Sequence, residues 1–154
     1  MIETFQQGTP VQLWQALVHE AGQRAGHSLD EARESYLVFV LLRFQRDAQL
    51  LAHTHGVDWL DALELAGTAR GDALRDVGDR CLLVAGLFPD VAERRRVSVG
   101  YYIDVGRAAY RGVAEAGRRA TAALYEQLAA SYRELVRTLA AMRRLDAPGL
   151  LRQA

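Results

Sequence analysis

The stretch Tyr36-Leu37-Val38-Phe39-Val40-Leu41-Leu42 is the longest uninterrupted apolar run in the sequence. Seven such residues suit a buried strand as well as a buried helix, so the flanks decide. Upstream, Ser28 followed by Glu31 has the spacing of a capping box, which marks a helix start. Downstream the helical spacing continues to about Thr54, and Gly56 stops it. The run therefore reads as the middle of a helix over residues 29–54, apolar on all sides because other helices surround it. It falls far short of the roughly 20 apolar residues that a membrane-spanning helix needs.

Working outward, nearly every other segment also reads helical. Thr9-Pro10 is a start signal, since Thr can cap and Pro suits the first helical position. Val11, Trp14, Leu17, Val18 and Ala21 follow at helical spacing, with Gly22 and Gly26 as stops. Asp58 and Asp61 open a short helix to Leu65. A further helix from about Asp72 carries Leu74, Val77, Cys81, Val84 and Phe88 on one side, and Pro89 ends it. Arg94, Arg95 and Arg96 form a connector to Ser98, which caps a helix from Val99 to about Ala116; Gly117 then breaks the chain. The last helix, Ala120 to Leu145, places Tyr125, Leu128, Tyr132, Leu135, Leu139 and Met142 on a heptad-like seam flanked by Leu124 and Val136. Pro148-Gly149 begins a tail. The sequence holds no repeat, no low-complexity tract and no alternating run of the kind a half-buried strand shows. The expected architecture is all-α: one domain over residues 1–154, a bundle of about six helices around the 29–54 helix.

Composition agrees with that class. The chain has 154 residues, 50% hydrophobic and 25% charged, an ordinary globular balance that excludes disorder. A single cysteine, Cys81, excludes an internal disulfide and any multi-cysteine metal site. No charged-then-apolar leader opens the sequence, which predicts a cytoplasmic protein. Every one of the 19 basic residues is arginine, and their distribution is uneven. Residues 1–50 carry a net −2, residues 51–93 carry −5 and residues 94–154 carry +7. An acidic front and a basic back point either to an anionic partner or to two halves that face each other.

Gly78-Asp79, then Gly86-Leu87-Phe88-Pro89-Asp90, the arginine connector, Tyr101-Tyr102-Ile103-Asp104-Val105-Gly106 and Ala109-Tyr110 form a recognisable series. On these residues the chain, from about Tyr36 to Val113, resembles a family of short, all-helical bacterial proteins with no known activity. The resemblance implies an all-helical bacterial protein and transfers no site.

The candidate chemistry is sparse. His53 and His55 are the only close histidine pair, but a helical metal pair is spaced i and i+4. His19-Glu20 lacks the second histidine of a zinc-protease motif. Asp72, Asp76 and Asp79 fall at i, i+4 and i+7 and share one helix face, enough to hold a divalent cation. Asp72 with Arg75 and Asp76 with Arg80 also have the spacing of solvated ion pairs, and that plainer reading is preferred. Arg133, Arg137 and Arg144 make a stripe on the last helix, near Arg118, Arg119 and Arg143, and arginine forks grip phosphates. A near-neutral pI of about 6.9 and the lack of a known module weigh against nucleic acid. Tyr101, Tyr102 and Tyr110, with Trp14 and Trp59 and with Asp104 beside them, can line a pocket between helices, though aromatics at this spacing usually build core. Gly78, Cys81 and Ala85 give a narrow face for close packing. Cys81 reads as buried and inert, and Ser98 as a helix cap.

No phosphate loop, nucleophile elbow or catalytic carboxylate pair appears, and no metal or cofactor is expected. The favoured reading is a non-enzymatic helical interaction, adaptor or regulatory protein. The first alternative is a small-molecule binder or enzyme with its site near Tyr101, Tyr102 and Asp104. The second is an anionic partner on the C-terminal arginines. A homodimer is also expected, with the arginine back of one copy against Asp72, Asp76 and Asp79 of the other.

Overall fold

The computed structural model describes residues 9–26, 29–47, 51, 55–117 and 119–145. All regular structure among them is helical: α1 (Pro10–Arg24), α2 (Glu31–Arg46), α3 (His55–Leu63), α4 (Gly67–Gly86), α5 (Pro89–Arg94), α6 (Val99–Ala116), α7 (Arg119–Ala130) and α8 (Tyr132–Arg144). The chain divides into two compact units. One comprises Met1–Ala48 with Arg137–Ala154, the other Gln49–Val136, so the end of α8 belongs to the first and its start to the second.

In the first unit α1 packs on α2. Thr9 caps α1 through a complete capping box: its hydroxyl accepts from the Gln12 amide, and its own amide donates to the Gln12 side chain. Gly22 is buried inside the helix rather than ending it. The stop is Gly26, whose φ of +84° is open to glycine. Trp14 is buried and donates from Nε1 to Gln45 Oε1 at 3.0 Å. The start of α2 is capped by Asp30, which accepts from the Arg33 amide at 3.0 Å. That backbone bond, and the Arg33 side chain beside it, hold the Asp30 carboxyl below the usual range. The expected cap at Ser28 lies outside the described residues. The helix ends at Arg46 rather than near Thr54, which also lies outside them. Leu37, Val38, Val40, Leu41 and Phe44 are buried, but Phe39 is 40% exposed. Phe39 falls on an outer stripe with Ser35 and Arg46, both exposed, so the apolar run is not covered on all sides.

In the second unit the broadest helix contact is α4 on α6, with α7 also on α6 and α3 on α4. Helix α4 begins at Gly67, one turn before the expected Asp72, with no side-chain cap. It ends at Gly86, and Pro89 then opens a further helix, α5, where a connector was expected. That short helix closes in a Schellman motif: the Val97 amide reaches the Ala92 carbonyl and the Arg96 amide reaches that of Glu93, both at 3.0 Å. The motif puts Arg96 at φ +59°, the left-handed position usually given to glycine. Ser98 caps α6 by accepting from the Tyr101 amide at 3.0 Å.

The single last helix of the sequence reading is two, broken at Ser131. The Ser131 hydroxyl donates to the Gln127 carbonyl at 2.7 Å, the same carbonyl that accepts the Ser131 amide at 3.0 Å, and the Leu135 amide still reaches the Ser131 carbonyl at 3.0 Å. This break and α5 account for eight helices among the described residues instead of about six. The seam itself survives the break: Tyr125, Leu128, Tyr132, Leu135, Leu139 and Met142 are all buried within one copy of the chain.

Candidate functional site

The interior of the second unit is built on glycine and tyrosine. Gly78 on α4 lies directly under the ring of Tyr110 on α6, and a Cβ there would overlap the ring. Gly106, one helical turn before Tyr110, lies against the hydroxyl of Tyr132, and a Cβ would overlap that too. The absent side chains let the phenol rings enter between the helices. Tyr132 then donates to the Gly78 carbonyl at 2.9 Å, and Tyr110 donates to Asp79 Oδ1 at 2.7 Å. Tyr110 also packs edge-on against Tyr125 and Tyr132, with ring centres 5.5 and 5.4 Å away. Burial raises the Tyr132 phenol well above its ordinary range, because no charge can be solvated there. It pushes the Cys81 thiol up to about 12, so Cys81 is protonated and unreactive. These groups hold helices together; none of them is open to a substrate.

Two sequence expectations are corrected by this core. Asp79 was placed on an acidic surface with Asp72 and Asp76, but it is fully buried. The shared face turns inward along α4: Asp72 is exposed, Asp76 half-buried and Asp79 interior. Arg80 Nη1 reaches Asp58 Oδ2 on α3 at 3.0 Å, while Arg75 stands 3.7 Å from Asp76. Likewise Tyr101, Tyr102, Asp104 and Tyr110 do not converge. Tyr101 and Asp104 are exposed, Tyr102 and Tyr110 buried; the Tyr101 and Tyr102 rings meet edge-on with centres 6.2 Å apart, but Tyr110 lies on the opposite side of α6 from Tyr101. Among the described residues no three His, Cys, Asp or Glu side chains gather as metal ligands. The His53 and Thr54 positions lie outside those residues.

Three surface features stand out among the described residues. A mostly apolar hollow of about 270 Å³ lies beside Gly71, Arg75, Val113, Thr121 and Tyr125. A second hollow of about 390 Å³ is lined by Arg24, Arg137 and Arg144 over a floor of alanines. Arg133, Arg137 and Arg144 are all exposed, but only the last two line this hollow; Arg118 lies outside the described residues. The third feature is on and just after α3. Leu60, Leu63 and Leu65 are 60%, 36% and 44% exposed, half of the six large apolar side chains exposed among the described residues. Asp61 and Glu64, also exposed, are interleaved with them. Ala62 takes the buried side of α3, which packs on α4.

The leucine face and the part of Arg24 were missed in the sequence. A local signal existed for the first, since leucines at steps of three and two cannot all share the side of Ala62 on so short a helix. None existed for Arg24, which is more than a hundred residues from Arg137. Among the described residues no helix is long and apolar enough to cross a membrane. No family model, curated protein or solved structure matches the chain.

Proposed function

We propose that this is a non-enzymatic interaction protein whose docking face is Leu60, Leu63 and Leu65, and that its occupant is an amphipathic helix of another protein carrying basic residues beside its apolar ones. The observation that carries this reading is the concentration of exposed leucines within six residues. Isolated exposed apolar residues are ordinary on a protein surface, but a contiguous group marks an interaction site. Asp61 and Glu64 set the sign of the partner. Two copies meeting through this same face would oppose like charges, so charge complementarity favours a basic partner.

The homodimer expected from the sequence draws on Asp72, Asp76 and Asp79 as one acidic patch, and Asp79 is buried. A helix laid in an acidic, leucine-rich face is read through anchors at i, i+3 and i+4, the usual mode for such recognition. The family resemblance and a bacterial, cytoplasmic setting are compatible with this role and part of the same proposal.

Site-directed photo-cross-linking tests it. A photo-reactive phenylalanine analogue is placed at position 65 of the full chain, and the chain is irradiated in cells of its source organism. The expected product is one adduct, cross-linked to a helical segment with Lys or Arg beside apolar positions. No adduct above that formed from position 133, an adduct to a second copy of the chain, or an acidic cross-linked segment each overturns the proposal.

A further inference from the structure

We propose that the hollow lined by Arg24, Arg137 and Arg144 binds a small molecule carrying two adjacent phosphate groups. Arg137, Ala140, Ala141 and Arg144 occupy i, i+3, i+4 and i+7 of α8 and so share one face. The alanines leave space between the arginines, and Ala25 and Leu145 complete the walls. The volume, about 390 Å³, lies within the range of small-molecule sites. Arg137 and Arg144 stand two turns apart on that face, about 10 Å along the backbone axis, so two separate forks border the hollow, one for each phosphate of a diphosphate. Each guanidinium offers a planar fork that matches phosphate oxygens.

The plainer account is that arginines near helix ends complement the negative pole of the helix dipole. It covers Arg24 and Arg144, which stand in the last turns of α1 and α8. It does not cover Arg137, which is two turns earlier and lines the same hollow. Glu20 pairs with Arg24 through Nη2 at 3.1 Å, an exposed pair that leaves the other nitrogens of the fork to a ligand. Among the described residues Arg137 and Arg144 have no ion-pair partner. Among the described residues three cations thus border the cavity with one carboxylate, Glu20, paired beside them. This site shares no residue with the α3 leucines and does not depend on the docking proposal.

Isothermal titration calorimetry of the full chain with inorganic pyrophosphate at low salt tests it. The expected result is saturable one-to-one binding, weakened about tenfold or more by either Arg137→Gln or Arg144→Gln and unchanged by Arg133→Gln. Arg133 is exposed on α8 but does not line the hollow, so it separates a site from diffuse charge. All three variants should melt like the parent, since the side chains are exposed. No saturable heat, or equal weakening by Arg133→Gln, overturns the proposal. A single-stranded oligonucleotide that binds through all three arginines, with pyrophosphate unable to compete, overturns it as well.

Discussion

The phenol of Tyr110 and the carboxylate of Asp79, thirty-one residues apart, meet in a 2.7 Å hydrogen bond in the core of one unit. Tyr110 and Asp79 are both completely buried, so the bond satisfies polar groups that water cannot reach. Tyr110→Phe removes the donor and keeps the ring. The expected loss is about 1–3 kcal/mol of stability, because a buried acceptor loses a partner. Chemical denaturation checks it, and a variant as stable as the parent would show the bond to be dispensable.

Glycine at position 106 gives the opposite of ordinary helix behaviour. On helix propensity alone, Gly→Ala in a helix gains about 1 kcal/mol. Gly106→Ala instead forces its methyl onto the Tyr132 hydroxyl and should cost about 1–3 kcal/mol. Gly100→Ala on the same helix has only Ser98 Oγ at 3.8 Å and should be neutral or stabilising. Paired thermal melts read the contrast directly.

Alkali should unfold this protein through its interior. Cys81, with an ordinary value of 9.0, is raised to about 12, and Tyr132 is raised well above its ordinary 10.0. Both groups keep their protons longer folded than unfolded, so the folded state binds more protons above pH 9. Stability is therefore complete below about pH 9 and falls as pH rises, by at most about 1.4 kcal/mol per pH unit for each group. Cys81→Ala should delay the onset toward pH 10. Urea midpoints measured from pH 7 to 11 check both the sign and the shift.

Much of the helical plan is legible in the sequence because it rests on local chemistry. Thr9-Pro10 and Ser98 mark starts through their own side chains, and both caps are present. The seam from Tyr125 to Met142 is legible because its spacing reports which side chains share a face. The division at Ser131 is not, since that spacing runs on across it. The place of Asp79 was equally hidden. Asp72, Asp76 and Asp79 are equivalent by periodicity, and only the distant Tyr110 distinguishes the last. Surface sites fared worse for the same reason: Arg24 reaches Arg137 and Arg144 only through tertiary structure.

The Arg94–Arg96 run shows how a charge motif can have a backbone cause. Arg96 occupies the left-handed position of a Schellman motif at φ +59°, where a side chain costs about 1 kcal/mol relative to glycine. Arg96→Gly should therefore raise the melting temperature by a few degrees. A fall in melting temperature would mean that the arginine side chain, which is exposed, contributes more than its backbone strain takes away.

If the outer leucines of α3 serve recognition and the tyrosine core serves only architecture, the two can be separated by substitution. Leu60→Asp with Leu63→Asp alters exposed side chains and should leave the melting temperature close to the parent's. The most direct measurement is the photo-cross-link yield from position 65 in that double variant, beside the yield in Tyr110→Phe at a temperature where both are folded. The expected result is loss of the adduct in the leucine variant and its retention in Tyr110→Phe. Retention in the leucine variant, with loss in Tyr110→Phe, would contradict a docking face on α3 and move recognition to the core.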